Sequence, residues 1–506
     1  MTLFERILAA RGLTTRATRE AFLQPDYVAV KHDPFLLPDM KKAVARLKQA
    51  REQGEKIVIY GDYDIDGLSA TALLLDAFGK FGFEGVDAFI PNRFVEGYGM
   101  TMGAVDKVRD MGADLIVTVD TGSLCHAEIA YAASLGIDTV VTDHHNVAET
   151  PPPSVAAVNP KFSGHTYPFR DLCGAGVAFK LVQALQTELD GLPDGYEKWL
   201  LDLVALGTVC DIVTLADENR ANVYWGLEVL KKQQRPGLKA LMAVAGIEPE
   251  QVNARHLGFG LGPRMNAAGR LETAQHALDM LTARDGLAAL EASEKLEELN
   301  IKRRGIQDAI FEEACVQAEQ LADDRVLVVS SGGWNHGVIG IVASKLVEKY
   351  KKPVFIIGER GEEATGSARS FGDFSAADAV RAADDIIIKG GGHGAAAGVT
   401  LETEKIDDFR RRVNEFYDSL QLTNQERYLL PRADVEIDDF SEIDEELVAN
   451  LAKMEPFGNG NPEPVLKIAT ANVLSVRRMG TDGQHVKLAL RDKNGKVLQM
   501  LAFNAP

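Results

Sequence analysis

The sequence predicts an α/β protein: a parallel-sheet domain joined by a long helix to a smaller α/β domain, followed by a C-terminal β-barrel. Short apolar, β-branched runs such as Ile57-Val58-Ile59-Tyr60 alternate with helix-like stretches, which is typical of a parallel sheet. A long charged segment at 286–322 contains no proline and predicts one connecting helix. Near the end of the chain short β-prone runs dominate, and Asp492-Lys493-Asn494-Gly495 is a hairpin signal.

Changes in composition divide the 506 residues into five segments. These are a helical segment (1–50), the parallel-sheet domain (51–284), the connecting helix (285–322), the second α/β domain (323–425) and the barrel (431–506). The last four predicted strands have no closing segment, which indicates either that the natural chain continues or that this barrel is incomplete.

Bulk properties exclude some classes of protein and leave others open. No uncharged apolar run is long enough to span a membrane, and residues 1–12 lack the apolar core of a signal peptide. Four cysteines without a C-x-x-C pair indicate reduced thiols in a cytoplasmic protein. The net charge of −19 argues against nucleic acid, but basic clusters such as Lys302-Arg303-Arg304 are either solvated helix faces or binding patches. Composition therefore neither supports nor excludes binding to DNA.

Acidic and imidazole side chains follow three predicted strands. Asp62, Asp64 and Asp66 follow the first, Asp120 follows the second, and Asp143-His144-His145 follows the third. Ligands bind beyond the carboxyl ends of parallel strands, so we expect these side chains to converge. Carboxylates this close cannot all ionise without a cation, and oxygen ligands suit Mg²⁺ or Mn²⁺. The alternative for the first loop alone is an acidic turn that caps the next helix.

Asp211 completes the predicted metal centre. It lies in the apolar segment 207–213, which we interpret as another strand. Such a site can hold two divalent ions about 3.5–4 Å apart, which activate water and stabilise the oxygens of a phosphorus centre. Asp120 and Asp211 are the expected bridging ligands, because each arrives alone on its own strand. His144 suits a neutral imidazole ligand oriented by Asp143, which leaves His145 for the substrate. The alternative for each histidine is a hydrogen-bonded core residue.

The second α/β domain carries a candidate phosphate site. Its glycine-rich segment 390–398 lets backbone N–H groups approach an anion, and His393 lies within it. The alternative is a flexible hairpin tip. Ser367 and Arg369 form a hydroxyl-rich turn with an arginine, which suits a terminal phosphate.

Taken together, these motifs resemble a known superfamily. Asp64-x-Asp66, Asp120, Asp143-His144-His145 and Asp211 are similar, in this order, to the four motifs of the DHH phosphoesterases. Gly391-Gly392-His393 with Ala396-Ala397-Gly398 resembles the signature of the associated DHHA1 domain. Further segments resemble the RecJ family of single-strand-specific 5′→3′ exonucleases: 61–67, Pro91-Asn92-Arg93, Gly97-Tyr98-Gly99, 263–270 and 455–462.

The resemblance implies a ligand set and a substrate path. Two Mn²⁺ or Mg²⁺ ions would be held by Asp62, Asp64, Asp66, Asp120, His144 and Asp211. The implied catalytic residues are Asp64, Asp66, Asp120, His144, His145 and Asp211, with His145 on the scissile phosphate. The implied substrate-binding residues are Arg93, Asn266, Arg270, Ser367, Arg369 and His393. The terminal barrel would be an OB-fold, a common platform for single strands.

The implied function is a hydrolase: a metal-dependent 5′→3′ exonuclease that degrades single-stranded DNA to mononucleotides in DNA repair and recombination. Single-stranded DNA would be its partner, with a single-strand-binding protein or a helicase as further expected partners. One alternative is a DHH-family phosphodiesterase for short oligoribonucleotides or cyclic dinucleotides, which would not need the barrel. Another is a non-enzymatic replication scaffold, but such relatives lose metal ligands, and the expected acids are all present here.

Overall fold

The computed structural model describes residues 1–97 and 99–505 and divides into two compact units. The first comprises Met1–Pro91, Glu96–Gly262 and Arg432–Pro506, and the second comprises Asn92–Val95 and Pro263–Pro431. Tyr98, from the Gly97-Tyr98-Gly99 segment, lies outside the described residues. The division into five segments stays a prediction.

A parallel sheet forms the centre of the first unit. Its strands are β1 (Ile57–Gly61), β2 (Val86–Phe89), β3 (Leu115–Val119), β4 (Asp138–Thr142) and β5 (Ala156–Val158). Among the described residues their order is β2-β1-β3-β4-β5, and every neighbouring pair is parallel, as predicted. β1, β3 and β5 are buried along their whole length, which explains their continuous apolar sequences.

The register of this sheet aligns the strand ends that carry the candidate ligands. Gly61 at the end of β1 pairs with Val119 of β3, and Val119 pairs with Thr142 of β4. Thr142 pairs in turn with Val158 at the end of β5. The residues that follow these strands therefore leave the sheet at one level of the same edge.

Helices make up most of the rest of the first unit before its C-terminal residues. They are α1 (Leu3–Ala10), α2 (Arg16–Leu23), α3 (Met40–Gln53), α4 (Ile65–Phe81), α5 (Met102–Asp110), α6 (His126–Ser134), α7 (Gly174–Leu185), α8 (Leu201–Cys210), α9 (Asp217–Lys231), α10 (Pro236–Val244) and α11 (Ala254–His256), followed by a π-helical turn (Leu257–Leu261). Across the described residues, no helix combines the length and apolar character that a bilayer crossing requires.

The expectation that Asp211 lies on a strand is wrong. Residues 207–210 continue α8, and Asp211 is the first residue after that helix. Its N–H still donates to the carbonyl of Gly207, which ends the helix in regular fashion. α8 is buried from Leu201 through Thr208, and Asp202 is the one charged residue in this mainly apolar helix. A short apolar run of this kind has the same pattern in a buried helix as in a buried strand.

The second unit contains a long helix and a mixed sheet. Its helices are α12 (Gly262–Leu271), α13 (Gln275–Thr282), α14 (Gly286–Gln320), α15 (His336–Tyr350), α16 (Ala376–Arg381) and α17 (Ile406–Ser419). Its strands are β6 (Leu327–Gly332), β7 (Val354–Arg360), β8 (Glu363–Arg369), β9 (Lys389–Gly392) and β10 (Ala396–Glu402). They are ordered β6-β7-β8-β10-β9, with β6 and β7 parallel and the other pairs antiparallel. The predicted long helix is thus confirmed as α14.

The C-terminal residues belong to the first unit and are mainly β-structure. They contain β11 (Val435–Ile437), α18 (Glu445–Ala452), β12 (Leu466–Ile468), β13 (Asn472–Met479), β14 (His485–Arg491) and β15 (Val497–Ala502). In the described part, β11 pairs with β12, while β13, β14 and β15 form an antiparallel sheet. The predicted hairpin turn at 492–495 joins β14 to β15.

Close helix packing in the first unit gives a stability prediction. A Cβ at Gly226 of α9 would lie 2.5 Å from the Cβ of Ala205 in α8 and would clash with the carbonyl of Leu201. We expect Gly226→Ala to lower the free energy of unfolding by about 1–3 kcal/mol, as overpacking usually does. The matched control is Gly79→Ala in α4, an exposed position where a Cβ meets nothing within 4 Å. That change should be neutral or stabilise by up to about 1 kcal/mol. Thermal unfolding of both variants measures the difference, and equal stability would contradict the packing argument.

Candidate metal centre

The loop after β1 supports both interpretations of its acidic sequence. Asp64 caps α4, because its Oδ1 accepts hydrogen bonds from the N–H groups of Asp66 at 2.9 Å and Gly67 at 3.1 Å. Asp62 and Asp66 are 3% and 1% exposed, and neither has the capping role. Asp64 therefore caps the helix, as expected if this loop were an acidic capping turn. The same loop also places the buried carboxylates of Asp62 and Asp66 at the edge of the sheet.

Asp66 is held by the start of α7. Its two carboxylate oxygens accept hydrogen bonds from the N–H groups of Gly174 at 2.5 Å and Ala175 at 2.9 Å. Gly207 of α8 packs so closely that a Cβ there would clash with Asp66 Oδ1. These contacts were not predicted from the sequence. Their signal is the run of small residues at 174–176, since a helix N-terminus can donate to an anion.

Asp120 follows β3 in a left-handed backbone conformation, with φ +61°. This conformation is uncommon outside glycine, and Asp and Asn tolerate it better than most residues. The side chain is 1% exposed, and among the described residues neither carboxylate oxygen has a hydrogen-bond partner. A Cβ at Gly174 would lie 2.5 Å from Asp120 Cβ, so glycine is required there for close approach. Orphaned buried oxygens of this kind fit a cation site.

The imidazole of His144 lies among these carboxylates. Its Nε2 is 3.0 Å from Asp120 Oδ1, 3.6 Å from Asp211 Oδ2 and 3.8 Å from Asp66 Oδ2. No described residue makes a hydrogen bond to this buried nitrogen. The structure thus brings the ends of β1, β3, β4 and α8 to one small volume, as the motifs predicted.

Asp143 accepts hydrogen bonds from both residues of the histidine pair. Its Oδ1 accepts hydrogen bonds from the N–H of His144 at 2.7 Å and from the N–H and Nδ1 of His145 at 3.0 and 2.9 Å. Its Oδ2 accepts from the N–H of Ser123 at 2.9 Å. We expected Asp143 to orient the ring of His144, but the ring it contacts is that of His145. Asn159, after β5, supports the same segment by donating to the carbonyl of His145 at 3.0 Å.

Three sets of candidate ligand atoms are each compact enough to bind a metal ion. In each set the candidate nitrogen and oxygen atoms lie within 4.8 Å of one another. The sets are Asp62, Asp64 and Asp120; Asp66, His144 and Asp211; and Asp120, His144 and His145. Asp120 belongs to two sets, as a carboxylate shared between two ions would. The residues present therefore fit two hard divalent cations.

Protonation states agree with a cation site. Burial, and then the charge of Asp64, raises the pKa of Asp66 to about 6. Burial and the charges of Asp66 and Asp64 raise the pKa of Asp211 to about 8. The pKa of Asp120 is also raised well above its usual range, chiefly by burial. Burial and the neighbouring charge of His145 lower the pKa of His144 to about 3, so its imidazole is neutral and can serve as a ligand.

His145 has the opposite charge preference. Burial alone would lower its pKa, but the hydrogen bond and the charge of Asp143 outweigh burial and raise it to about 9. The same hydrogen bond lowers the pKa of the Asp143 carboxyl far below its usual range, against the effect of burial. His145 is thus a cation at neutral pH, which suits contact with a phosphate better than metal ligation.

Three predicted substrate-binding residues lie near the start of α15 in the second unit. Arg270 Nη1 donates to the carbonyl of Gly337 at 2.9 Å. A Cβ at Gly340 would lie 3.0 Å from Ser367 Oγ and 3.3 Å from Arg369 Nη2. Arg369 Nη1 also donates to Ser367 Oγ at 3.3 Å. Both residues lie on strand β8, so the expectation that they form a turn is wrong. Guanidinium groups and hydroxyls beside the first turns of a helix are groups that bind anions, and the role of these three residues toward a phosphate stays a prediction.

The other three predicted substrate-binding residues are more dispersed within the second unit. Arg93 and Asn266 are half-buried, in the segment Asn92–Val95 and in α12. His393 is exposed in the turn between β9 and β10, where its N–H donates to the carbonyl of Ala396. The glycine-rich segment is therefore a hairpin, as the alternative proposed, and its role toward phosphate stays a prediction.

Comparison with known families agrees with this description. Residues 56–208 match the DHH family, N-terminal domain; residues 323–419 match the DHHA1 domain; and residues 433–506 match the RecJ OB domain. The predicted OB-fold at the C-terminus is thus confirmed at the level of family.

Relatives with similar sequences cover nearly the whole chain. The single-stranded-DNA-specific exonuclease RecJ of Bacillus subtilis is 40% identical over 98% of this chain, which spans 62% of that protein. The Salmonella typhimurium exonuclease of the same name is 36% identical over 92% of this chain and 84% of its own length. The crystal structure of RecJ with Mn²⁺ from Thermus thermophilus superposes with a TM-score of 0.82 at 30% identity, over 99% of this chain and 70% of that one.

The sheet edge, its acids and its histidine pair define a phosphoesterase of the DHH class. The identity of 36% and 35% to single-strand-specific exonucleases, over 84% and 89% of their lengths, defines the family within this class. The chain belongs to the RecJ family of single-stranded-DNA-specific exonucleases, which are hydrolases.

The raised pKa values predict how pH and metal affect stability. Carboxyl groups with raised pKa values stabilise the folded state at low pH, and this contribution is lost as pH rises through about 6 for Asp66 and about 8 for Asp211. A bound divalent cation replaces the lost protons. We therefore expect the increase in Tm caused by saturating Mn²⁺ over EDTA to be several degrees larger at pH 8.5 than at pH 5.5. Thermal scans at both pH values test this, with Asp211→Asn as the variant that should show a smaller pH dependence. An equal Mn²⁺ effect at both pH values would contradict the electrostatic argument.

Proposed function

We propose that this chain is a metal-dependent exonuclease that degrades single-stranded DNA from the 5′ end to mononucleotides in DNA repair and recombination. The observation that carries the proposal is the buried cluster in which Asp120 and His144 present orphaned ligand atoms 3.0 Å apart. It occurs in a chain that shares 36% identity with a single-strand-specific exonuclease over 84% of that protein.

The six metal ligands named from the sequence would hold two Mn²⁺ or Mg²⁺ ions. They are Asp62, Asp64, Asp66, Asp120, His144 and Asp211. Support comes from the crystal structures of the Thermus thermophilus relative, which contain Mn²⁺ or Mg²⁺. When bound, such ions lower the pKa of water and stabilise negative charge on phosphoryl oxygens.

The side chains around that cluster have distinct roles in the proposed reaction. Asp66 is fixed by hydrogen bonds from the start of α7, and Asp120 is buried and packed against Gly174, so both carboxylates would be pre-positioned to bind charge. Asp143 holds His145 protonated through Nδ1, so its Nε2 would contact the scissile phosphate. This contact would stabilise charge that develops on the phosphate during hydrolysis.

The second unit would bind the DNA strand. Arg369, Ser367 and Arg270 beside α15 fit the 5′-terminal phosphate, because guanidinium groups bind phosphate oxygens in pairs. Arg93, Asn266 and His393 would contact the backbone further along. A single-strand-binding protein or a helicase would supply the strand. The cysteines of the described residues are free thiols, which suits the reducing cytoplasm that we propose as its compartment.

Asp120→Asn tests the proposed chemistry. Asn tolerates the left-handed conformation of this residue and keeps its size, so the fold should persist while the shared charge is lost. We expect Mn²⁺-dependent hydrolysis to fall by about 10²–10³-fold, because the carboxylate that would hold both ions is lost and with it their stabilisation of charge on the phosphate. The assay digests 5′- and 3′-labelled single-stranded and duplex DNA, which also measures polarity and strand preference. The exposed Asp110→Asn is the control. Full activity of Asp120→Asn, or release from the 3′ end by the wild type, would refute the assignment.

Substrate length separates the exonuclease from the alternative phosphodiesterase for short oligoribonucleotides or cyclic dinucleotides. Deleting residues 431–506 is a poor test, because these residues pack within the first unit and their loss would disturb it. We instead expect kcat/KM to be at least about tenfold higher for a 40-nucleotide DNA strand than for a trinucleotide, since each further base adds stacking and phosphate contacts. Competition between the two substrates in one reaction gives the ratio directly. Equal or better use of the trinucleotide, or of a trinucleotide of RNA, would favour the phosphodiesterase.

A further inference from the structure

The loop that follows Asp211 has a strained backbone. Ile212 adopts φ +60° and is 69% exposed. A β-branched residue in the left-handed region is a genuine outlier that costs on the order of 1–3 kcal/mol. Such strain persists only where the surroundings hold it, so contacts of the loop must fix the backbone immediately after the candidate ligand.

A hairpin segment of the C-terminal region, residues 454–461, makes those contacts, and its tip is closed by antiparallel pairing of Gly458 with Asn461. Asn459 Nδ2 donates to the carbonyl of Ile212 at 2.8 Å, and the N–H of Leu215 donates to the carbonyl of Asn459 at 2.7 Å. Leu215 is 3% exposed, and a Cβ at Gly458 would lie 2.8 Å from its Cδ1. A Cβ at Gly460 would clash with Thr214. The two flanking glycines therefore allow the hairpin to lie directly on the loop.

The hairpin is itself rigid. Asn461 is 2% exposed, and its Nδ2 donates to the carbonyls of Met454 and Pro456 at 2.9 and 2.8 Å. Its Oδ1 accepts from Arg11 Nη1 at 2.7 Å, and Arg11 also forms an ion pair with Asp434 at 2.8 Å. The segment that holds the loop is thus itself fixed by the hydrogen bonds of a buried asparagine.

A second set of contacts to the hairpin segment comes from α9, the helix that follows the loop. The guanidinium of Arg220, which is 4% exposed, donates to the carbonyls of Met454 at 3.1 Å, Glu455 at 2.9 Å and Pro456 at 3.3 Å. It also lies 3.8 Å from the ring centroid of Phe22. The hairpin is fixed to both ends of the 211–216 loop, through Asn459 at its start and through Arg220 beyond its end.

We propose that Asn459 is a positioning residue for the metal centre: it holds Ile212 in its strained conformation and so fixes the Asp211 carboxylate toward His144. This inference rests on the proposed function only in taking Asp211 as a metal ligand. Asn459 acts through the backbone of the next residue and touches no ion or substrate. Loss of its hydrogen bond allows Ile212 to relax, which turns the peptide that carries Asp211.

The test measures Mn²⁺ binding without DNA, by isothermal titration and by the electron paramagnetic resonance of free Mn²⁺. We expect Asn459→Ala to weaken the binding of one of the two ions by about tenfold, the lower end of the effect of removing a group that orients a ligand. The hydrolysis rate should then require more Mn²⁺ but recover at saturation, with the KM for DNA unchanged. The control is Asn472→Ala, an exposed asparagine on β13 of the same region, which should match the wild type.

A rescue variant separates positioning from general destabilisation. Asn tolerates a left-handed backbone far better than Ile, so Ile212→Asn in the Asn459→Ala background should restore much of the Mn²⁺ affinity. If Asn459→Ala does not fold, Asn459→Ser, with a side chain one bond shorter, replaces it. Wild-type Mn²⁺ binding by the folded Asn459 variant, or equal weakening by Asn472→Ala, would overturn the inference. A wild-type protein that binds no Mn²⁺ would instead refute the proposed function.

Discussion

The repulsion between buried carboxylates is the constraint on which the rest of the structure depends. Asp62, Asp66 and Asp120 are almost fully removed from water beside a neutral His144. In a low-dielectric pocket these groups cannot all be ionised unless positive charge lies among them. The parallel register brings three strand ends to one level, and glycines at 174 and 207 let helices approach the acids. Folding thus brings together carboxyl groups that retain protons when no cation is present and that can all ionise only when cations lie among them.

The same constraint explains the supporting contacts around the centre. Helix α7 points its first N–H groups at Asp66, which compensates part of the lost hydration. Asp143 is saturated by donors and therefore stays ionised, whereas its neighbour Asp120 is not. Two aspartates at the ends of adjacent strands consequently have opposite properties. One fixes the histidine pair, and the other is available to bind charge.

Much of this arrangement could be predicted from the sequence, and the failures have a common cause. Strand ends that carry Asp62, Asp120 and His144 were predictable, because apolar strands and the acids after them are adjacent in sequence. The helical end of α8 before Asp211 was not, since a fully buried helix and a buried strand have similar short apolar patterns. The donors at the start of α7 and the hairpin on the 211–216 loop come from distant segments. Their small residues and asparagines do not show in the sequence which carboxylate or loop they contact, because only the fold decides that.

Asp64 performs two tasks with one carboxylate, and this has a consequence for the history of the fold. One oxygen caps α4, and the residue also belongs to a candidate ligand set. Asparagine caps a helix about as well as aspartate but brings no negative charge. A single-step exchange at this position would therefore preserve the helix while weakening the hold on cations. A protein with this fold can therefore lose metal binding, and with it activity, through one substitution that leaves the fold intact.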